Sequence, residues 1–226
     1  MFKITNQMSI CLRPEDWTET IALEKVFNRP KPELEVDIGS GKGRFLIARA
    51  GSHKDTCFIG IDRVRTRILK LERKILRQGL ENVRLLFSEA SYAVGNLLPD
   101  ESVSVYYLFF SDPWPKRRHH RRRLFNADFL AAIRRTLRPG GFIHAATDHL
   151  DYFAIIKQSL SSDTRFAEAE PFVPAAEERT DFELTFLSQM KPIGRCSFMK
   201  KKTILSQKSV AFPRLSSRIN QPVTRG

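Results

Sequence analysis

Leu34-Glu35-Val36-Asp37-Ile38-Gly39-Ser40-Gly41-Lys42-Gly43-Arg44 is the stretch that decides the fold. Its apolar half predicts a buried strand over 34–38, and the three glycines predict an abrupt turn into a helix over 44–50. Glycines at such a turn let the backbone pass close to a ligand. The helix start behind them presents unpaired N–H groups. The spacing is G-x-G-x-G, which differs from the pyrophosphate-cradling G-x-G-x-x-G, and no Gly-Lys-Ser/Thr follows as in a P-loop.

Outward from this unit the pattern repeats. A second strand is expected over 56–61, closed by Asp62. Val64, Ile68, Leu71 and Ile75 then mark one stripe of a helix, with Gly79 suited to cap its end. Strands are expected over 83–87 and 103–110, a helix over 124–137, and after Pro139-Gly140-Gly141 a strand over 142–147. Further on, 166–173 reads as a strand, 174–186 as a loop and 193–199 as a last strand. Upstream, 14–27 reads as a short amphipathic helix containing Trp17, Ile21 and Val26. Strands alternating with helices predict an α/β fold, a mostly parallel seven-stranded sheet with helices on both faces. The expected organisation is an N-terminal segment 1–32, one domain over 33–200 and a basic, disordered tail over 201–226. Ligands in such sheets bind beyond the carboxyl ends of the strands. Asp37, Asp62, Glu89, Asp112 and Asp148 all fall at that rim.

The chain has 226 residues, 42% of them hydrophobic, which suits one sizeable globular core. No apolar run is long enough to span a bilayer, and the first residues lack the features of a secretory signal. Cys11, Cys57 and Cys196 are too scattered for a disulfide framework or a zinc site, so no metal is expected and a cytoplasmic location is. The net charge of +13 is concentrated. Residues 116–123 hold six Lys or Arg, residues 63–77 hold seven against Glu72, and 201–226 hold six with no acid, leaving the remainder acidic. Basic patches on an acidic body suit a polyanion-binding protein. Taken alone, 63–77 reads as an ordinary solvated face. Nothing in the sequence favours a monomer over a homodimer.

Asp62 lies roughly 20 residues beyond the glycines, where an acid accepts hydrogen bonds from a ribose diol. Asp37 before the loop suits a cationic ammonium group. An adenosine joined to an amino acid through a sulfonium fits both; a dinucleotide does not. Asp62 could instead cap a helix. Together with Leu137-Arg138-Pro139-Gly140-Gly141, these residues resemble the class I, Rossmann-like S-adenosylmethionine-dependent methyltransferases.

The segment Ser111-Asp112-Pro113-Trp114-Pro115-Lys116 narrows the chemistry. Cytosine C5 methylation needs a Cys nucleophile, which is missing here. Adenine N6 methylation typically uses Asp/Asn-Pro-Pro-aromatic, which Trp114 interrupts. Guanine N7 carries a free lone pair, so the protein need only align it and stabilise charge passing to the purine. Asp112 could accept from guanine N1–H and the 2-amino group. With Arg117-Arg118-His119, Arg121-Arg122-Arg123-Leu124, Thr147-Asp148 and Thr180-Asp181-Phe182-Glu183, the chain resembles the bacterial tRNA (guanine-N7-)-methyltransferases over about residues 33–199.

That resemblance implies S-adenosylmethionine as cofactor, contacted by Asp37, Asp62, Glu89 and Asp112 beside the loop residues Gly39 and Gly41. It implies Asp112 as the catalytic residue, and Lys116, Asp148, Thr180, Asp181, Phe182 and Glu183 as substrate-binding positions. RNA contacts fall on Arg118, His119, His120, Arg121, Arg122 and Arg123, and the implied substrate is a guanine in the variable loop of tRNA. Asp37 stands where Glu is common, Glu89 where Asp is common, and Asp181 where Lys is frequent. Trp114 could pack on the core edge or stack near the base. His119 and His120 read as members of the basic run rather than ligands. Asp148 could cap the helix beginning near Leu150. Two other functions remain compatible: methylation of an exocyclic amine in nucleic acid, and a non-catalytic RNA-binding module. No membrane partner is expected.

Overall fold

The computed structural model describes residues 10–114, 118–119 and 123–202. One eight-stranded sheet runs through it in the order β1-β4-β3-β2-β5-β6-β8-β7. The strands are β1 (Cys11–Leu12), β2 (Leu34–Ile38), β3 (Cys57–Asp62), β4 (Val83–Phe87), β5 (Val103–Phe109), β6 (Leu137–Thr147), β7 (Phe166–Ala169) and β8 (Gly194–Lys200). All pairings from β1 to β6 are parallel, while β8 runs antiparallel to both β6 and β7. The helices are α1 (Leu23–Phe27), α2 (Arg44–Ser52), α3 (Arg65–Arg77), α4 (Ala90–Tyr92, continued by a π turn Ala93–Leu97), α5 (Ala127–Thr136), α6 (Leu150–Ser162) and α7 (Asp181–Ser188).

The central strands read as continuous apolar runs because both faces of the sheet are covered. Ile59 and Ile61 of β3 face a core completed by α1, α5 and α6, whereas Phe58 faces α2 and α3. In β5, Tyr106 and Leu108 join the first core, while Tyr107 and Phe109 pack with Phe45 of α2. The chain passes from β2 outward to β3 and β4, then returns to β5 on the other side of β2. That reversal opens a crevice above the carboxyl ends of β2 and β5, the usual ligand position in such sheets.

Several expected elements are redrawn. Of 14–27 only Leu23–Phe27 is helical, because the Asp16 carboxylate accepts from the Thr18 N–H at 2.7 Å and commits that stretch to a turn. The N-terminal segment is not separate from the sheet: Cys11 and Leu12 pair with Leu85 and Leu86, adding an eighth strand at its edge. The expected helix over 124–137 starts later, at Ala127, because the Asn126 side chain caps it by accepting from Phe129 N–H at 2.9 Å. Strand β6 begins at Leu137 and runs through Pro139-Gly140-Gly141, with an irregular register opposite Val103–Val105. The largest revision is α7, placed where a loop was expected over 174–186. Thr180 caps it by accepting from Glu183 N–H at 3.0 Å. The Thr-x-x-Glu spacing of a capping box was present in the sequence. The expected tail beyond Lys202 lies outside the described residues.

Candidate active site

The crevice holds a cavity of about 590 Å³, bordered by the ends of four adjacent strands. Gly39 and Gly41 follow β2, Asp62 and Arg63 end β3, Ser88 and Glu89 follow β4, and Ser111 and Asp112 follow β5. A smaller cavity of about 190 Å³ adjoins it, lined by Asp37, the glycine loop, Thr180 and Asp181. Gly39, Gly41, Arg67, Phe109 and Phe182 border both. Gly39, Gly41 and Gly43 all have positive φ, the left-handed region that glycine adopts without strain. A Cβ built on Gly39 meets nothing within 4 Å, so bare backbone borders open space there. On Gly43 it would lie 2.1 Å from the Leu71 side chain, which ties the loop closely to α3.

Each acid has a distinct setting. Asp62, 5% exposed, accepts from Gly41 N–H at 3.0 Å and from Val64 N–H at 2.8 Å, so it joins the glycine loop to the start of α3. Arg67 stands 3.7 Å from the same carboxylate. Glu89 and Asp112 are exposed and share one guanidinium: Arg63 lies 3.7 Å from Glu89 and 3.1 Å from Asp112. Arg63 and Arg67 were not singled out in the sequence. Their signal was position, since both flank the start of a helix that follows a strand-ending acid.

Asp37 is as buried as Asp62. Burial lifts its carboxyl from 3.8 to about 7, aided by the Asp62 charge and opposed by a Ser40 hydrogen bond. In the free protein it retains a proton that the unfolded chain gives up, so its contribution makes stability fall as pH rises from 3.8 to about 7. A cationic ligand group beside Asp37 favours ionisation. Cofactor affinity should therefore rise as pH passes through about 7, with a proton released on binding at pH values below that. Calorimetry in buffers of different ionisation enthalpy counts that proton; none released near pH 6 would place the cationic group elsewhere.

Strand β5 stops because Phe110 turns left-handed, at φ 54°, while its N–H donates to Ala146 O at 2.7 Å. A bulky residue held there is strained, and such strain gathers at functional sites. The turn delivers Ser111-Asp112-Pro113-Trp114 to the cavity edge as a lip. Phe110 packs against Phe186 at 5.5 Å and Phe182 at 6.5 Å, which brings α7 over the crevice. Trp114 lines the cavity and meets the His119 ring edge-on at 5.7 Å.

Thr180, Asp181 and Phe182 border the cavities, with Phe182 56% exposed and Asp181 3.9 Å from Lys42. Glu183 does not join them. It is 1% exposed, faces away from the cavities, and pairs with Arg195 at 2.5 Å and Arg179 at 3.7 Å. Position 183 points inward once 181–188 coil. Arg123 is also largely buried, and it borders the larger cavity. Its Nε donates to Pro113 O at 2.7 Å and its guanidinium lies 5.1 Å from the Tyr152 ring, so it anchors the lip from beneath. Arg118 is exposed and His119 half-buried, while Lys116, His120, Arg121 and Arg122 lie outside the described residues. Asp148 sits just past β6, borders neither cavity, and does not cap α6; the His149 ring does, accepting from Tyr152 N–H at 3.3 Å. Among the described residues no cluster of His, Cys, Asp or Glu could hold a metal, and no helix is long and apolar enough to cross a membrane.

A glycine loop, a strand-ending acid and a proline-framed carboxylate at the switch point of this sheet define a Rossmann-like methyltransferase. The same fold recurs in the 16S rRNA methyltransferase KamB, with a TM-score of 0.58 and 15% identity over 80% of this chain and 94% of that one. It recurs also in the 30S ribosomal A1408 methyltransferase from an uncultured bacterium, with a TM-score of 0.55 and 15% identity over 83% of this chain and 95% of that one. Residues 31–196 match the family model described as "Putative methyltransferase". A tRNA (guanine-N(7)-)-methyltransferase of Nitrosomonas eutropha is 36% identical over 72% of this chain and 74% of its own length. One from Lactobacillus gasseri is 32% identical over 80% of this chain and 95% of its own length. For a Nitrosococcus oceani relative the match is 38% identical and spans 63% of that protein. The chain belongs to the tRNA (guanine-N(7)-)-methyltransferase family.

Proposed function

We propose that this protein transfers the methyl group of S-adenosylmethionine to N7 of a guanine in the variable loop of tRNA, in the cytoplasm. The observation that carries this is the placement of Asp112 at the rim of the cavity that Gly39, Gly41, Asp62 and Glu89 also border.

The residues fit the cofactor. Backbone at Gly39 borders open space, Asp62 closes β3 where a ribose diol binds, and Asp37 offers a buried acid to an ammonium group. When bound, S-adenosylmethionine supplies an electrophilic methyl on a sulfonium. The chain's own work is alignment and charge. Asp112 accepts from guanine N1–H and the 2-amino group, which aims N7 inward. Its negative charge stabilises the positive charge that the purine acquires as the N7–methyl bond forms and the carbon–sulfur bond breaks. No general base is needed, since N7 carries no proton. In the free protein Arg63 occupies the donor position opposite Asp112 and Glu89, and the incoming base takes over its hydrogen bond to Asp112. Phe182, exposed beside both cavities, offers a face on which the base stacks.

The test is methyl transfer from labelled S-adenosylmethionine to unmodified tRNA, followed by digestion to nucleosides. The label should appear in 7-methylguanosine. A label in an exocyclic-amine product, or no cofactor binding by calorimetry, would overturn the proposal.

A further inference from the structure

Helix α3 carries cations in an order that packing does not require. Its apolar stripe, Ile68, Leu71 and Ile75, is buried against the sheet. At 3.6 residues per turn, four of the six cations of the helix, Arg67, Lys70, Lys74 and Arg77, fall within an arc of about 80° beside that stripe, while the exposed Arg65 and Arg73 lie outside it. Arg63, preceding the helix, lines the cavity ahead of it. The row begins in the cavity wall, which Arg63 and Arg67 line, and runs about 15 Å from Arg67 to Arg77 at 1.5 Å per residue. It passes along the glycine loop, where Lys74 Nζ donates to Lys42 O at 3.0 Å and adds Lys42 to its flank. Lys70, Lys74 and Arg77 are exposed, and none has an ion pair among the described residues. The one acid of the helix, Glu72, is on another side and meets Cys11. Asp181 is the acid beside Lys42.

Like charges in one row repel one another; the helix dipole favours Lys74 and Arg77 in the last turn, but the core gains from none of the row. A polyanion laid along the row removes that repulsion. We infer that the row from Arg67 to Arg77 is a docking track for the sugar-phosphate backbone of the RNA substrate, on the opposite side of the glycine loop from α7. This rests on the reading of tRNA as substrate, and extends it to a surface outside the basic run 116–123. The cavity and the track share Arg67, so a strand whose base enters the cavity is led onto the helix by its own phosphates. The contacts read no sequence; they set orientation and salt dependence.

The test compares two charge-matched variants. Lys70→Glu/Arg77→Glu reverses two exposed cations of the track that do not touch the glycine loop. Lys31→Glu/Lys54→Glu reverses two exposed lysines just before β2 and β3, at the amino ends of the strands. The first should weaken tRNA binding about tenfold or more near physiological salt and flatten the slope of log Kd against log salt by about two. Its kcat at saturating tRNA and its affinity for S-adenosylmethionine should stay at wild-type values, and its thermal midpoint should move by no more than about 4 °C. The second variant should change Kd and slope little. An unchanged Kd and slope for the track variant would overturn the inference, as would equal weakening by both variants, which would signify net charge alone. Filter binding reads these outcomes without turnover. Failure of the wild type to methylate tRNA would therefore count against the proposed reaction, while the binding comparison still decides the track.

Discussion

Asp112→Ala should lower kcat for tRNA methylation by about 100- to 1,000-fold, the loss typical of removing one positioned group that stabilises developing charge. The cofactor pocket keeps Asp62, Glu89 and the glycine loop, so affinity for S-adenosylmethionine should change little. Affinity for tRNA should also hold, because phosphate contacts rather than one base contact supply most of it. Asp112→Asn is the sharper variant. An amide preserves shape but presents a donor toward the donors of the guanine edge, so it should be nearly as damaging as alanine. The loss should not arise from unfolding: Asp112 is exposed and its pair with Arg63 is a surface pair, worth about 0–1 kcal/mol. Equal losses in kcat and tRNA affinity, or an active Asn variant, would remove Asp112 from its role.

Glu183→Ala should cost about 3 kcal/mol of stability, because it strands Arg195, whose side chain is 14% exposed, without its anion. Burial raises the Glu183 carboxyl above its usual range, while Arg195 and Arg179 draw it back. Glu183→Gln should fall between, since it keeps the volume and one acceptor. Denaturant unfolding measures the loss. If Glu183 instead touched substrate, the alanine variant would keep its midpoint and raise the KM for tRNA.

These two carboxylates separate what was legible from what was not. Both stood in motifs that the family resemblance marked as functional. Asp112 follows a strand whose apolar run and proline-framed end locate it without tertiary information. Glu183 falls within 174–186, whose mixture of prolines, charges and aromatics predicts a loop. Only the Thr180 cap and the packing of Phe182 and Phe186 on Phe110 make that stretch a helix, and the helix turns position 183 inward. Arg123 shows the same limit. One residue of a basic run is indistinguishable by composition from its neighbours, yet the lip's carbonyl and the Tyr152 ring draw this one beneath the surface.

By itself the sequence determined the alternation of strands and helices, the glycine turn after β2 and the ordering of acids at strand ends, because these follow from local apolar periodicity and turn chemistry. Tertiary structure alone decided that Arg63 bridges Glu89 and Asp112, that β1 extends the sheet, and that the cation row of α3 starts in the cavity wall. Those depend on distances between segments far apart in the chain, and only packing sets such distances.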